Sequence, residues 1–514
     1  MTINASRRGF IRGLAGASAL GLGGCCSICS GSKKIRLAAV GIMGKGFSDW
    51  FPMVKSGKAE LVAICDADYN QVAAAQKILN KERFPLDLYR LPFYSDFRAL
   101  NDNVGVLGIQ AMTISGPDHM HAPCAIPAMK QGVNVYVQKP LVRTLWELDY
   151  FNKTAKDNGV VVQMGNQGSA LDGLRRCSEI IQTGILGDVT EVHVWTNRPV
   201  WPQGLKAKAG TLGKEDPKQP GLDWNAWLGT AKMRNFKGAY APGMKGYDPW
   251  NLCQNVYHAF SWRGFYDFGA GAFGDMACHT MNLPFRGLEL GAVEEAECQT
   301  IEEFNDVAYP TKSIVKMVYS ARKSKYQPGK TLPKVNFYWY DGNLKPKADI
   351  MPTVIKALGK VPNTGCFIIG SKGVVCSTND YGGQSFISLN GEDKVVDMFK
   401  HEACMGIARR IPFRSDAVDG QANGPGAAAV SADGHYIEFL DAINGVGPKF
   451  EDTNSRCFSD VEFCIPQMEG ILVGCMAQRM GSGVKLKWDS LAQKFDNDKA
   501  NSFVRPFIRS GWEF

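Results

Sequence analysis

The sequence predicts an α/β chain: an N-terminal domain built on a doubly wound parallel sheet, then a C-terminal α+β domain with a large, mostly antiparallel sheet. Three observations predict it. Short apolar strands alternate with helical segments from Ile35 to Met164, a glycine-rich turn follows the first strand, and past Gly165 the strands lengthen and alternate.

Residues 35–40 (Ile-Arg-Leu-Ala-Ala-Val) read as a buried strand, Gly41 to Gly46 as a turn, and a short helix begins near Phe47. Residues 60–64 form a second strand, closed by Cys65 and Asp66, and the Ala-rich stretch 71–81 a helix. The run 105–112 reads as a further buried strand, 125–131 as a helix, 134–138 as a strand, 146–157 as a helix and 160–164 as a strand. Beyond these, 191–195, 313–319 and 335–339 read as longer strands, and 205–221, rich in Lys, Gly and Pro, as a surface insertion. The boundaries implied are a leader and tether at 1–33, the parallel-sheet domain at 34–160 and the second domain at 161–514.

At 514 residues the chain is too long for one ordinary core. A composition 45% hydrophobic and 21% charged is that of a globular protein. The formal charge of +8 falls to +5 once the three arginines of residues 1–24, a stretch without acids, are set aside. The remaining charge is scattered, so nothing points to nucleic acid. Arg7 and Arg8, followed by Phe10-Ile11-Arg12 and a weakly apolar stretch, read as a twin-arginine export signal. Leu22-Gly23-Gly24-Cys25 resembles a lipobox, so Cys25 is either acylated or lies beside an ordinary cleavage site. The expected location is the periplasm, or the membrane surface through a lipid on Cys25. Fifteen cysteines, most placed singly in apolar runs, suit buried thiols better than a disulfide scaffold.

The glycine turn and Asp66, which ends the next strand, together make a dinucleotide site of Rossmann type. The glycines let backbone approach a pyrophosphate, and the acid accepts hydrogen bonds from the adenosine ribose. No arginine follows Asp66 to hold a 2′-phosphate, which favours NAD over NADP. Thr113-Ile-Ser115-Gly-Pro117-Asp118-His119-Met-His121 lies at the carboxyl end of a strand, where such sheets bind ligands. There Asp118 is expected to cap the following helix and His121 to touch the cofactor. Gln138-Lys139-Pro140 ends the next strand at the same edge, and Asp275 and His279 share a helix face. That carboxylate could fix the imidazole tautomer and the imidazole take a hydroxyl proton; alone, the pair is equally structural or metal-binding. Of the aromatics that crowd 224–268, Tyr257 and Trp262 are the better pocket candidates, while Trp224, Trp227, Trp250, Phe265, Tyr266 and Phe268 are equally core.

Together, Gly41 to Gly46, Asp66, the Pro117 to His121 run, Gln138-Lys139-Pro140 and Gly274-Asp275-Met-Ala-Cys-His279 resemble the Gfo/Idh/MocA oxidoreductases. Gln163 to Gln167, His193 to Pro199, Trp224 to Trp227 and Trp262-Arg263-Gly264 are similar to the bacterial subgroup with long C-terminal domains. The resemblance implies that Lys139 orients the substrate and lowers its hydroxyl pKa, that His279 is the general base and that Asp275 is its partner. It implies cofactor contacts from Gly41, Ile42, Met43, Gly44, Gly46, Asp66, Thr113, Ser115, Pro117, His121, Gln138, Lys139, Asn166, Trp262 and Arg263. It implies substrate contacts from Lys139, Gln167, Tyr257, His258 and His279, no metal, and a homo-oligomer. Two departures stand out: Gln138 replaces the usual acid before Lys-Pro, and Met43 replaces a common glycine.

Three functions follow as expectations. The first is NAD-dependent oxidation of a carbohydrate or glycoside hydroxyl, with hydride transfer to a tightly held nicotinamide. The second is glycoside cleavage by transient oxidation and elimination, with Tyr257 or His258 as the extra base. The third is a non-catalytic NAD-binding scaffold, against which intact Lys139, Asp275 and His279 argue.

Overall fold

The computed structural model describes residues 34–205, 215–238, 256–412, 433–451 and 453–514. The leader, Cys25 and Trp250 lie outside them. The first sheet takes β1 (Ile35–Val40), β2 (Ala59–Cys65), β3 (Phe93–Tyr94), β4 (Ala111–Ile114), β5 (Asn134–Val137) and β6 (Val162–Met164). Their order is β3-β2-β1-β4-β5-β6 and every pairing is parallel. Strands buried on both faces must be apolar nearly throughout, and β1 is apolar but for half-buried Arg36, which pairs with Glu60 on β2. The order reverses between β1 and β4, and the crevice that opens there at the strands' carboxyl ends is where such sheets bind ligands.

Helices α1 (Lys45–Lys55), α2 (Asn70–Lys81), α3 (His121–Lys130) and α4 (Leu145–Asn158) connect these strands. The start of α4 is fixed by a capping box: Thr144 Oγ1 accepts from Glu147 N at 3.3 Å, and Glu147 returns a carboxylate to Thr144 N at 2.9 Å. The stretch 105–112 is not one strand. Val104–Leu107 forms a single helical turn with Val106 exposed, Gly108 turns left-handed (φ 59°), and pairing begins only at Ala111. Short apolar runs carry no period long enough to separate turn from strand.

The second sheet contains β7 (Val189–Trp195), β8 (Val293–Glu302) and β9 (Lys312–Tyr319). A two-stranded hairpin, β10 (Arg322–Lys323) and β11 (Thr331–Leu332), stands apart from it. The rest comprises β12 (Val335–Tyr340), β13 (Gly365–Gly370), β14 (Gly373–Ser377), β15 (Ser385–Leu389), β16 (Val396–Asp397), β17 (Lys485–Asp489) and β18 (Lys494–Phe495). The order is β16-β15-β14-β13-β7-β12-β9-β8-β17-β18, antiparallel except where β7 meets β12. Strand β9 alternates buried and half-buried residues, as a sheet with one covered face requires.

Helices α5 (Asp172–Gln182), α6 (Gly271–Thr280), α7 (Asn282–Gly287), α8 (Asp433–Ile443) and α9 (Val461–Met480) complete the framework. Helix α9 is apolar nearly all round because it runs through the core, against β8, β9, α4 and α6. Late in the chain, α8 returns to the first sheet: Tyr436, Phe439 and Leu440 join Leu37, Ala39, Trp50 and Tyr136 in one core. The eleven described cysteines are all free and buried, as their apolar settings suggested.

Helix α8 is tied to α5 by a buried ion pair, Arg175 Nη2 to Glu438 Oε2 at 2.6 Å. Arg175 also donates to the carbonyls of Ser169 and Pro412 and lies 4.5 Å from the Phe458 ring centroid. Removing the cation strands Glu438 without water. Arg175→Ala should therefore lower unfolding stability by about 3–5 kcal/mol, measured as an earlier denaturant midpoint; an unchanged midpoint would show the pair to be idle.

Candidate functional site

The carboxyl ends of β1, β2, β4 and β5 face α6 and the loops 198–203, 256–263 and 378–381 across a cleft of about 1000 Å³. At one end the chain is forced into a turn. Gly41 has φ 81°, and a Cβ on it would sit 2.9 Å from the Ser115 carbonyl; a Cβ on Gly46 would sit 2.0 Å from Gly41 O. Only glycine leaves this cradle open for a pyrophosphate at the start of α1. Met43 has an ordinary negative φ and lines the cleft, so its departure from glycine costs nothing. Asp66 accepts from Ile42 N and Asp68 N, both at 3.0 Å, which fixes the carboxylate and leaves lone pairs for ribose hydroxyls.

At this same end His258 Nε2 meets Asp68 Oδ2 at 2.9 Å while Trp227 Nε1 donates to Nδ1 at 3.2 Å. Those partners select the Nε2–H tautomer. Burial works against the Asp68 anion, but hydrogen bonds from His258, Gln71 and Asn70 hold its pKa at about 2. His258, expected at the substrate, lines the cleft with its ring held against Asp68, two residues from Asp66. Tyr257 is also displaced: it is 1% exposed and packs against Trp224, Phe265 and Phe268, so it is core and cannot be a base in the cleft.

At the other end Lys139 Nζ donates to Asp275 Oδ1 at 2.8 Å, and Arg263 Nε approaches the same oxygen at 3.3 Å. Burial opposes the Asp275 anion, yet the two cations hold its pKa at about 2. Asp275 was expected to fix His279; its hydrogen bonds go to Lys139 and Arg263 instead, and it acts on the imidazole only through its charge. His279 Nδ1 is buried without a protein partner, and the ring lies 5.1 Å edge-on from Tyr381. Burial and the Lys139 charge push its pKa well below the usual range, so the imidazole is neutral.

Asp118 does not cap α3. Its Oδ2 accepts from Ala270 N at 3.0 Å, bracing the start of α6, and burial lifts its pKa to about 7 although Arg263 pulls the other way. Pro117, Trp262 and Gln167 line the cleft with these groups. The expected contacts Ile42, Gly46, Thr113, His121 and Asn166 stand behind its wall. His121 is turned away, its Nδ1 2.7 Å from Pro140 O and its Nε2 3.0 Å from Gly116 O, and burial lowers its pKa to about 4.

Several groups escaped the sequence reading. Asp49, fully buried on α1, bonds Lys45 Nζ at 2.5 Å, Ser115 Oγ at 2.7 Å and Gln138 Nε2 at 3.1 Å, so three cleft-lining side chains hang on one carboxylate. The acid that Gln138 lacks is supplied from beneath. Arg198, Asp380 and Tyr381 complete the far wall. The last two come from the β14–β15 loop, whose turn-like Asn379-Asp-Tyr-Gly-Gly383 composition was visible but whose return to the cleft was not.

The geometry sets a domain with a dinucleotide-type glycine turn against a second domain, with one cleft lined by both. Residues 35–166 match the sequence model of the GFO_IDH_MocA oxidoreductase family, NAD-binding Rossmann fold. Residues 35–166 thus match an NAD-binding Rossmann domain, and that match supports NAD as the cofactor. The fold matches an inositol dehydrogenase homolog from Azotobacter vinelandii, solved with NADH and myo-inositol. That match has a TM-score of 0.53 at 15% identity, over 89% of this chain and 98% of that one. A 2,7-anhydro-N-acetylneuraminate hydratase of Mediterraneibacter gnavus is 27% identical over 85 residues, 16% of this chain and 23% of that protein. A glycosyl hydrolase family 109 protein of Solibacter usitatus is 31% identical over 122 residues, 22% and 26% of the two chains. This chain thus spans about a quarter of the length of those two relatives.

Two outcomes follow. Gly46→Ala should cost at least tenfold in NAD affinity by calorimetry, because a methyl group cannot share space with Gly41 O. In histidine-labelled protein His279 should titrate below the ordinary imidazole range by NMR, and Lys139→Met should raise its pKa by removing a neighbouring cation; an imidazole titrating in the ordinary range in both proteins would refute the electrostatics.

Proposed function

We propose that the protein is an NAD-dependent oxidoreductase acting on a carbohydrate or glycoside hydroxyl, with hydride transfer to a tightly held nicotinamide. The observation that carries the reading is one cleft with the glycine turn and Asp66 at one end and Lys139, Asp275 and His279 at the other. Gly41, Gly44, Asp66 and Ser115 would hold NAD, which when bound supplies the hydride-accepting chemistry. Asp66 would take the ribose, and no arginine follows it in the sequence, which favours NAD over NADP.

Lys139, aimed by Asp275, stabilises negative charge that grows on the reacting oxygen. Neutral His279 takes the hydroxyl proton. Its depressed pKa makes it a weak base, so the Lys139 charge must lower the hydroxyl pKa for the transfer to proceed. An imidazolium beside Lys139 is in turn unfavourable, which drives the proton onward to solvent. Export by the Arg7-Arg8 leader, to the periplasm or to the membrane surface through a lipid on Cys25, and a homo-oligomeric state belong to the same proposal. Outside the cytoplasm no NAD pool is at hand, which is why the cofactor should be retained.

A second reading, redox-neutral glycoside cleavage, is favoured by Tyr381, which places a second proton-bearing group against His279. Released sugar carrying solvent deuterium at the carbon next to the oxidised one would select it.

Purified protein, denatured, should release NAD identifiable by mass. Lys139→Ala and His279→Ala should each lower turnover of a glycoside panel by about 10²–10⁴-fold while bound NAD is retained. Undiminished turnover in either variant would sink the assignment.

A further inference from the structure

Asn197-Arg198-Pro199, singled out in the sequence, has no part in the chemistry derived above. Arg198 follows β7 and enters the cleft on the side of Tyr381 and Asp380. Its Nη1 is held by Asn197 Oδ1, while Nη2 lies 3.9 Å from Asp380 Oδ2. That gap exceeds the 2.7–2.9 Å typical of a charge-assisted hydrogen bond, so Asp380, itself tied to Thr364, aims the guanidinium without saturating it.

Among the described residues of this half of the cleft, Lys139, Arg263 and Arg198 are cationic, and Lys45 is balanced by Asp49. Asp275 answers two of these cations at once. Against three cations stand two carboxylates, Asp275 and Asp380, together with Asp118, whose burial keeps it largely protonated below neutral pH. Nearby, Gln167 Oε1 and His279 Nδ1 are buried without protein partners, on side chains only 4% and 5% exposed. Buried polar atoms without a protein partner, on side chains that line a cleft, call for a partner from outside the protein. An amide oxygen takes a hydroxyl; an unsaturated guanidinium fork takes a carboxylate.

We propose that the substrate is a sugar acid or its glycoside: Arg198 grips the carboxylate while Gln167 and His279 take ring hydroxyls. This rests on the reading of the cleft as a carbohydrate oxidoreductase site. The test is calorimetry on the NAD-loaded protein with methyl glucuronide and methyl galacturonide, each against its neutral hexoside. At least one acid should bind about tenfold or more tightly than its neutral partner. Arg198→Gln should erase that difference while NAD content is unchanged, and Arg198→Lys should restore part of it. Equal binding of acid and neutral sugars, or a preference that survives Arg198→Gln, would overturn the proposal. Reduction of bound nicotinamide is followed in parallel. Neutral sugars that reduce it with no acid preference would remove the sugar-acid site and keep the oxidoreductase reading. An acid preference lost in Arg198→Gln without reduction would do the reverse.

Discussion

Lys139 and Asp275 meet at 2.8 Å, and the rest of the site depends on that contact. It joins the end of β5, in the parallel sheet, to α6, which packs on the core helix α9. Both side chains are about nine-tenths buried, where an unpaired charge would cost several kcal/mol. The pair is therefore constrained to form whenever the two layers pack. Its consequences spread outward: Asp275 stays ionised, and His279, beside them and dehydrated, stays neutral.

A second constraint works from below. Asp49 on α1 gathers Lys45, Ser115 and Gln138, so the helix that opens the phosphate turn also aims the side chains near Lys139. Tyr436 OH accepts from Lys45 Nζ at 3.0 Å, which brings α8 into the same network. The glycine turn and the side chains near Lys139 are thus supported by one polar scaffold.

Much of this was legible in the sequence because it is local. The turn at Gly41, the acid at Asp66 and the strand-end positions of Ser115 and Lys139 each follow from a few neighbouring residues. The bend at Gly108 was missed because the apolar run around it is too short to show a period. Partners distant in sequence escaped for another reason. Tyr257 and His258 share a dipeptide, yet one packs into an aromatic core and the other reaches Asp68, and no local pattern separates those fates. Asp275 and His279 share a helix face as their spacing required, but which partner Asp275 takes was decided by Lys139, 136 residues earlier. Asp380 and Tyr381 reach the cleft only because the second sheet folds their loop over it.

The central claim is that the Lys139–Asp275–His279 cluster drives hydride removal from a sugar carbon. Its most direct test is a single turnover of the NAD-loaded protein with a sugar acid deuterated at the reacting carbon, followed at the reduced-nicotinamide band. The account predicts that the band appears, more slowly with deuterium than with hydrogen, and that both the band and the isotope effect vanish in Asp275→Ala. A band that forms at the same rate in Asp275→Ala as in the parent protein would contradict it.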